Sequence, residues 1–160
     1  MKKILIVGRP GNGKTTLAVK LANNLNLPLV HLDKIYWKPG WVEMEREEFD
    51  ARLLAELEKD CWIIDGNYSR TIPLRLKYAD TVICFEYPKI LCIWRVLKRV
   101  TKNFGKSRPD MGENCPEKFD FEFLKFVWNC SDVYEKIKDF DGEIILIKKR
   151  KDYKKYFGDL

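Results

Sequence analysis

Eight residues, Gly8-Arg9-Pro10-Gly11-Asn12-Gly13-Lys14-Thr15, constrain this chain more than any other stretch. They satisfy the pattern G-x-x-x-x-G-K-[ST] in full, and they sit where that pattern works, between a strand and a helix. Lys3-Ile4-Leu5-Ile6-Val7 reads as a buried strand, and Thr16 to Ala22 as a helix with Leu17, Leu21 and Leu25 on one face. The glycines let the main chain curl until successive N–H groups point at one anion. The helix start adds unpaired N–H groups and the positive end of its dipole. Gly8 to Thr15, with Thr16, are therefore expected to cradle phosphates. Lys14 is placed to reach the outer phosphates, and the Thr15 hydroxyl to hold Mg²⁺.

Further apolar runs at 29–32, 61–65, 81–85 and 143–147 read as strands. Helical patterns fall between them, over 45–58, 73–77, 89–102 and 117–139, and again over 152–157. Lys34 to Val42, with three aromatics, a Pro and a Gly, is expected to be an ordered loop. On the 89–102 helix, Ile90, Ile93, Leu97 and Val100 form an apolar stripe, and Arg95, Lys98, Arg99 and Lys102 a basic one. Strands alternating with helices imply a mostly parallel sheet covered on both faces, a three-layer α/β/α architecture. A length of 160 residues suits one such domain, and no repeat or linker divides it.

No apolar run approaches a membrane span, and Met1-Lys2-Lys3 leads straight into the first strand, so no signal peptide is expected ahead of it. Cys61, Cys84, Cys92, Cys115 and Cys130 include no C-x-x-C pair, so reduced thiols and a cytoplasmic location are expected. A net charge of +6 fits a protein that handles polyanions, either nucleotides or nucleic acid. The basic run from Lys148 to Lys155 is broken by Asp152 and Tyr153 and reads as a solvated final helix rather than a DNA-binding arm.

In such a sheet ligands bind beyond the carboxyl ends of the strands, and four polar features fall there. Asp65 ends the third strand, where it can order water on Mg²⁺ or simply form a turn before Gly66. Asp33 ends the second, ahead of Tyr36, Trp37 and Trp41. It is a candidate to bind or deprotonate an acceptor hydroxyl, with a helix cap or surface ion pair as the plainer role. Arg70, and more weakly Arg75, can clamp an acceptor phosphate or carboxylate. Arg95, Arg99, Lys102 and then Arg108 lead into an irregular stretch that suits a mobile lid over the phosphates.

These residues resemble the adenylate-kinase-like branch of P-loop kinases. Asp65-Gly66-Asn67-Tyr68-Ser69-Arg70-Thr71-Ile72-Pro73 looks like that branch's D-G-F-P-R-T-x-P signature with one extra residue. The resemblance implies that Asp65 orders magnesium-bound water, Arg70 holds the acceptor phosphate, Arg95 packs on adenine and Arg99 meets the phosphates. The chain is also similar to a bacterial family described as DNA topology modulation proteins, FlaR-related. The similarity rests on His31-Leu32-Asp33, Tyr36 to Trp41, Asp65 to Thr71, Arg108 to Met111, Cys115-Pro116-Glu117 and Phe121 to Asn129.

The implied fold is a five-stranded parallel sheet of order 2-3-1-4-5 with a helical lid over about 102–119. The implied cofactors are ATP and Mg²⁺. Lys14, Asp33 and Arg99 would carry catalysis. Asp33, Trp37, Trp41 and Arg70 would hold an unidentified small acceptor, and Thr15 and Asp65 the metal. The alternative is an ATP-dependent regulator of DNA topology. Nothing here reads as a helix-turn-helix, zinc finger or OB-fold, and slow ATP hydrolysis without an acceptor is a third possibility.

Overall fold

The computed structural model describes residues 1–130 and 133–158. The chain begins with β1 (Lys3–Gly8), α1 (Lys14–Leu25), β2 (Leu29–His31) and α2 (Leu32–Tyr36). A hairpin of β3 (Trp37–Lys38) and β4 (Val42–Glu43) follows, then α3 (Arg46–Leu57) and β5 (Trp62–Asp65). The second half holds α4 (Ile72–Leu76), β6 (Thr81–Phe85), α5 (Lys89–Asn103), α6 (Phe121–Asn129), β7 (Glu143–Ile147) and α7 (Arg150–Phe157).

The main sheet has the order β2-β5-β1-β6-β7, and every pairing in it is parallel. Counting those five strands alone, this is the 2-3-1-4-5 order the resemblance implied. Side chains of the central strands alternate between two cores. Leu5, Val7, Trp62, Ile64 and Val82 pack against Phe49, Leu53 and Leu57 of α3 and Ile72 of α4. Ile4, Ile6, Ile63, Ile83 and Ile145 pack against Leu17, Ala18 and Leu21 of α1 and Phe157 of α7. Leu25, in the last turn of α1, is exposed.

Four local readings need correction. The stretch after Asp33 is not a loop: α2 and the hairpin occupy it, turning at Gly40 and Trp41, both with positive φ. On α5 the buried line is Cys92, Val96 and Val100, which pack on Val127 of α6, while Ile90 is exposed. The expected 117–139 helix begins only at Phe121, because the Asp120 side chain caps it by accepting from the Phe123 N–H at 3.0 Å. It stops at Asn129, where Cys130 turns extended, and Tyr134–Lys136 form a single 3₁₀ turn; residues 131 and 132 of that expected helix lie outside the described residues. The 104–120 segment is irregular, held by bridges between Phe104 and Glu117 and between Ser107 and Pro116, so the expected lid is flanked by helices rather than built of one.

The basic C-terminal run forms α7, which starts two residues earlier than expected. The Asp152 carboxylate reaches back to accept the N–H groups of Lys148 and Lys149, both at 3.0 Å. Among the described residues, no helix is long and apolar enough to cross a membrane.

Leu53 is wholly buried between α3 and the sheet. Leu53→Ala should lower the unfolding free energy by roughly 2–5 kcal/mol. Urea denaturation with an unchanged slope checks this, and an unmoved midpoint would contradict the packing described.

Candidate functional site

The phosphate-type loop joins β1 to α1, and its shape is enforced by close packing. Gly8 has φ +135°, and a Cβ there would come within 2.4 Å of the Asn12 amide and the Phe85 carbonyl. A Cβ on Gly11 would lie 2.5 Å from the Cys92 carbonyl. Asn12 is buried: its Nδ2 donates to the Phe85 carbonyl at 3.4 Å, and its Oδ1 accepts the Lys14 N–H at 3.2 Å. Its side chain is thus an internal strut. Gly13 precedes α1 without a side chain of its own to cap the helix; Asn12 takes the Lys14 N–H, and the next N–H groups of the first turn are placed to meet an anion. Lys14 Nζ donates to the Arg9 carbonyl at 3.3 Å within the same loop.

The ends of the neighbouring strands meet this loop. The Gly8 N–H donates to Asn67 Oδ1 at 2.9 Å, which ties the loop to the turn after β5. Thr15 Oγ1 donates to Asp65 Oδ2 at 2.7 Å, and His31 Nδ1 lies 3.3 Å from the same oxygen. Asp65 Oδ1 is buried without a hydrogen-bond partner, the kind of orphaned acceptor that an ordered water or ion satisfies. One hydroxyl and one carboxylate fit Mg²⁺, which takes few protein ligands and fills its shell with phosphate oxygens and water. No cluster of three His, Cys, Asp or Glu side chains that could hold a metal occurs among the described residues.

Asp33 falls in the first turn of α2 rather than at the end of β2. Tyr68 Oη donates to Asp33 Oδ1 at 2.8 Å. Burial pushes the Asp33 carboxyl above its ordinary value. The Tyr68 bond opposes the rise, the Asp65 charge adds to it, and Lys14 and Arg108 oppose it. Burial and the Asp33 charge push the Tyr68 phenol far up, so it remains a donor.

Lys14, Thr15, Asp33, Asp65, Trp37, Arg70, Arg95 and Arg99 all line one cavity of about 1270 Å³. Trp41 lines an adjoining chamber of about 320 Å³ instead. Its ring stands edge-on to Trp37 at 5.2 Å, and its Nε1 donates to the Pro116 carbonyl at 3.2 Å.

The arginines divide by partner. Arg95 stacks over Tyr87 at 4.9 Å and donates to the Asn12 carbonyl at 3.4 Å, beside the loop. Arg99 and Arg108 both pair with Glu117 Oε1, at 2.9 and 2.7 Å, and Arg108 also pairs with Asp110 at 2.9 Å. Burial, then the Arg108 charge, push the Arg99 guanidinium down. Lys102 is exposed and lines neither cavity.

Three arginines behave differently from expectation. Arg70 is held at the cavity rim by Asp50, with two bonds of 2.8 and 2.6 Å, so its fork is already filled. Arg75 is wholly buried and donates to the carbonyls of Gly66, Asn67 and Tyr68, and burial pulls its pKa down to about 9. It is the internal brace of the turn after β5. The Arg9 guanidinium donates to the carbonyls of Val127 and Cys130, at 3.2 and 2.8 Å, capping the end of α6. Within the loop, its carbonyl accepts from Lys14 Nζ. Tyr68 and Glu117, which the sequence reading did not single out as site residues, prove to be the partners of Asp33 and of the two lid arginines.

A family model described as "ATPase family associated with various cellular activities (AAA)" matches residues 4–61. A protein of Pyrococcus furiosus named "Putative adenylate kinase" is 33% identical over 119 residues, which cover 69% of this chain and 60% of that protein. Its Pyrococcus abyssi namesake is 30% identical over 118 residues, with the same shares. This chain thus spans 60% of the length of the curated relatives it matches. Two solved structures share the fold. A shikimate kinase from Bacteroides thetaiotaomicron is 18% identical with a TM-score of 0.53, covering 95% of this chain and 91% of that one. A gluconokinase from Sinorhizobium meliloti 1021 is 11% identical with a TM-score of 0.57, covering 99% and 98%. The sheet order is that of the P-loop kinases.

The raised Asp33 carboxyl has a consequence for stability. In the unfolded chain it loses its proton near 3.8, while in the folded chain it holds the proton to higher pH. Folding therefore takes up a proton between those two values, and stability falls as pH rises through that window. Asp33→Asn, which keeps an acceptor for Tyr68, should be more stable than the parent at pH 7, with the gap closing as pH falls below 4. Thermal unfolding at both pH values measures it; a parent more stable than the variant at pH 7 would refute the burial cost.

Proposed function

We propose that this chain is an ATP-dependent phosphotransferase that moves the γ-phosphoryl group of ATP to the hydroxyl of a small acceptor. The observation that carries this reading is one cavity lined by Lys14 of the phosphate loop, the Thr15–Asp65 pair and the half-buried carboxyl of Asp33. A second carboxyl in that cavity, raised in pKa, supports a general base for an attacking hydroxyl.

In this reading the N–H groups of Gly11, Asn12, Gly13 and Thr15 hold the inner phosphates, and the Lys14 side chain holds the outer ones. Thr15 Oγ1 and Asp65 would hold Mg²⁺, which when bound supplies neutralising charge to the phosphate oxygens. Arg95, on the Tyr87 ring next to the loop, flanks the base. Asp33 accepts the proton of the acceptor hydroxyl, oriented by Tyr68. The acceptor oxygen forms a bond to the γ-phosphorus, and the bond from that phosphorus to the β,γ-bridging oxygen breaks. The electron pair stays on ADP, and the proton passes from Asp33 to solvent. Lys14 neutralises charge on the group in transit, while Arg99 stays paired with Glu117 at the cavity wall. The adenylate kinase name borne by the two archaeal relatives supports phosphoryl transfer as the reaction class.

Lys14→Ala should reduce MgATP turnover by roughly 10²–10³-fold, the loss typical of one preorganised donor. Titration calorimetry of the parent chain with MgATP is the direct test. No heat from the parent would remove the proposal, as would unchanged turnover in the variant.

A further inference from the structure

The smaller chamber adjoins the ATP cavity at the proposed base. Asp33, Trp37, Glu43, Arg99, Arg108 and Phe123 line both. Its roof is the 104–120 segment, seated firmly on the hairpin. A Cβ on Gly112 would come within 2.0 Å of the Trp37 carbonyl. The Gly40 N–H donates to the Asn114 carbonyl at 3.2 Å, and the Cys115 thiol to the Lys38 carbonyl at 3.6 Å. At about 320 Å³ the chamber lies at the small end of the range for ligand pockets.

Its walls combine aromatic faces with cations that are already paired. The Trp37 and Trp41 rings meet at 74°, forming a corner against which a flat ring can lie. Met111, Phe119 and Phe123 add apolar surface. The two guanidinium groups inside, Arg99 and Arg108, share the buried Glu117 carboxylate. Lys118 sits over the Trp41 ring at 5.7 Å and is exposed. Arg70 belongs to Asp50, and Arg75 to main-chain carbonyls. Four carboxylates line the same space: Asp33, Glu43, Glu117 and Asp120. A phosphate or carboxylate entering here would have to take both arginines from Glu117 and leave that carboxylate buried and alone, which is strongly unfavourable.

Resting on the phosphotransferase reading above, we infer that this chamber seats the acceptor and selects an uncharged, ring-bearing alcohol of nucleoside type over any phosphate ester or carboxylate. The ring lies in the Trp37–Trp41 corner and the hydroxyl points to Asp33. The acceptor O–H gives its proton to Asp33 as its oxygen bonds to the γ-phosphorus, and ADP leaves with the electron pair of the broken bond. Discrimination comes from Glu117, which keeps the arginines neutralised towards any second anion.

The test uses the full chain, Mg²⁺ and γ-labelled ATP against paired acceptors. Adenosine, guanosine, cytidine, thymidine and pyridoxine are each set beside their own 5′-phosphate, with shikimate and gluconate as carboxylates. Label should pass to at least one uncharged member with kcat/KM roughly 100-fold above its phosphate ester. Glu117→Gln should narrow that ratio by about tenfold, because it releases the arginines. Preferred labelling of a phosphate ester or carboxylate would overturn the inference, as would a ratio unchanged in Glu117→Gln. So would failure to label any uncharged acceptor while calorimetry shows MgATP bound, and in that case the phosphotransferase reading stands. If MgATP gives no heat, both readings fall together.

Discussion

The parallel pairing of β1 with both β5 and β6 is the constraint on which the rest of this molecule depends. It sets Ile6 beside Asp65 and Gly8 beside Phe85, so three strand ends finish at nearly one level. From that level the chain must turn back into a helix, and the turn has to be glycine-rich because Phe85 and Cys92 leave no room for side chains. The same level brings the carboxylate of Asp65 under the hydroxyl of Thr15 and puts Asn67 within reach of the Gly8 N–H. Cradle, carboxylate and turn are thus consequences of one register rather than separate inventions.

Around this level, charge is managed by pairing. Glu117 serves two arginines, Asp50 serves Arg70, and main-chain carbonyls serve Arg75 and Arg9. Among the described residues, Lys14 and Arg95 meet carbonyl groups of the loop and an aromatic face. They are the cations on this wall that a phosphate chain meets without displacing a carboxylate. Asp33 is the counterpoint: a carboxyl held above its ordinary value by the walls, at a cost to stability that the proposed function turns to use.

Much of this was legible in the residues. The loop motif, the apolar strands and the helices before and after them appear where periodicity and glycine spacing put them, and the sheet order follows the resemblance. Asp33, Asp65 and Lys14 do share a cavity. The arginines were not legible, because spacing along a chain says nothing about whether a guanidinium will meet a ligand, a carboxylate or a buried carbonyl. Arg75 is the clearest case: only the fold reveals three carbonyls turned toward it. The false continuity of the 117–139 helix has a different cause. Aromatic residues recur at helical spacing through Phe119 and Phe126, both exposed, while the real boundary is set by a single capping side chain, Asp120. That Asp ahead of an apolar run was a readable signal.

Arg9 links two parts of the molecule that the chain separates widely. Its main chain belongs to the phosphate loop, while its guanidinium grips the last carbonyls of α6, the helix that follows the irregular roof segment. A tether of this kind works in both directions: force applied at the helix end is delivered to the loop, and tension in the loop is delivered to the helix. Crowding near Val127 or Cys130 would therefore be felt at the glycine-rich loop without any contact to the loop itself.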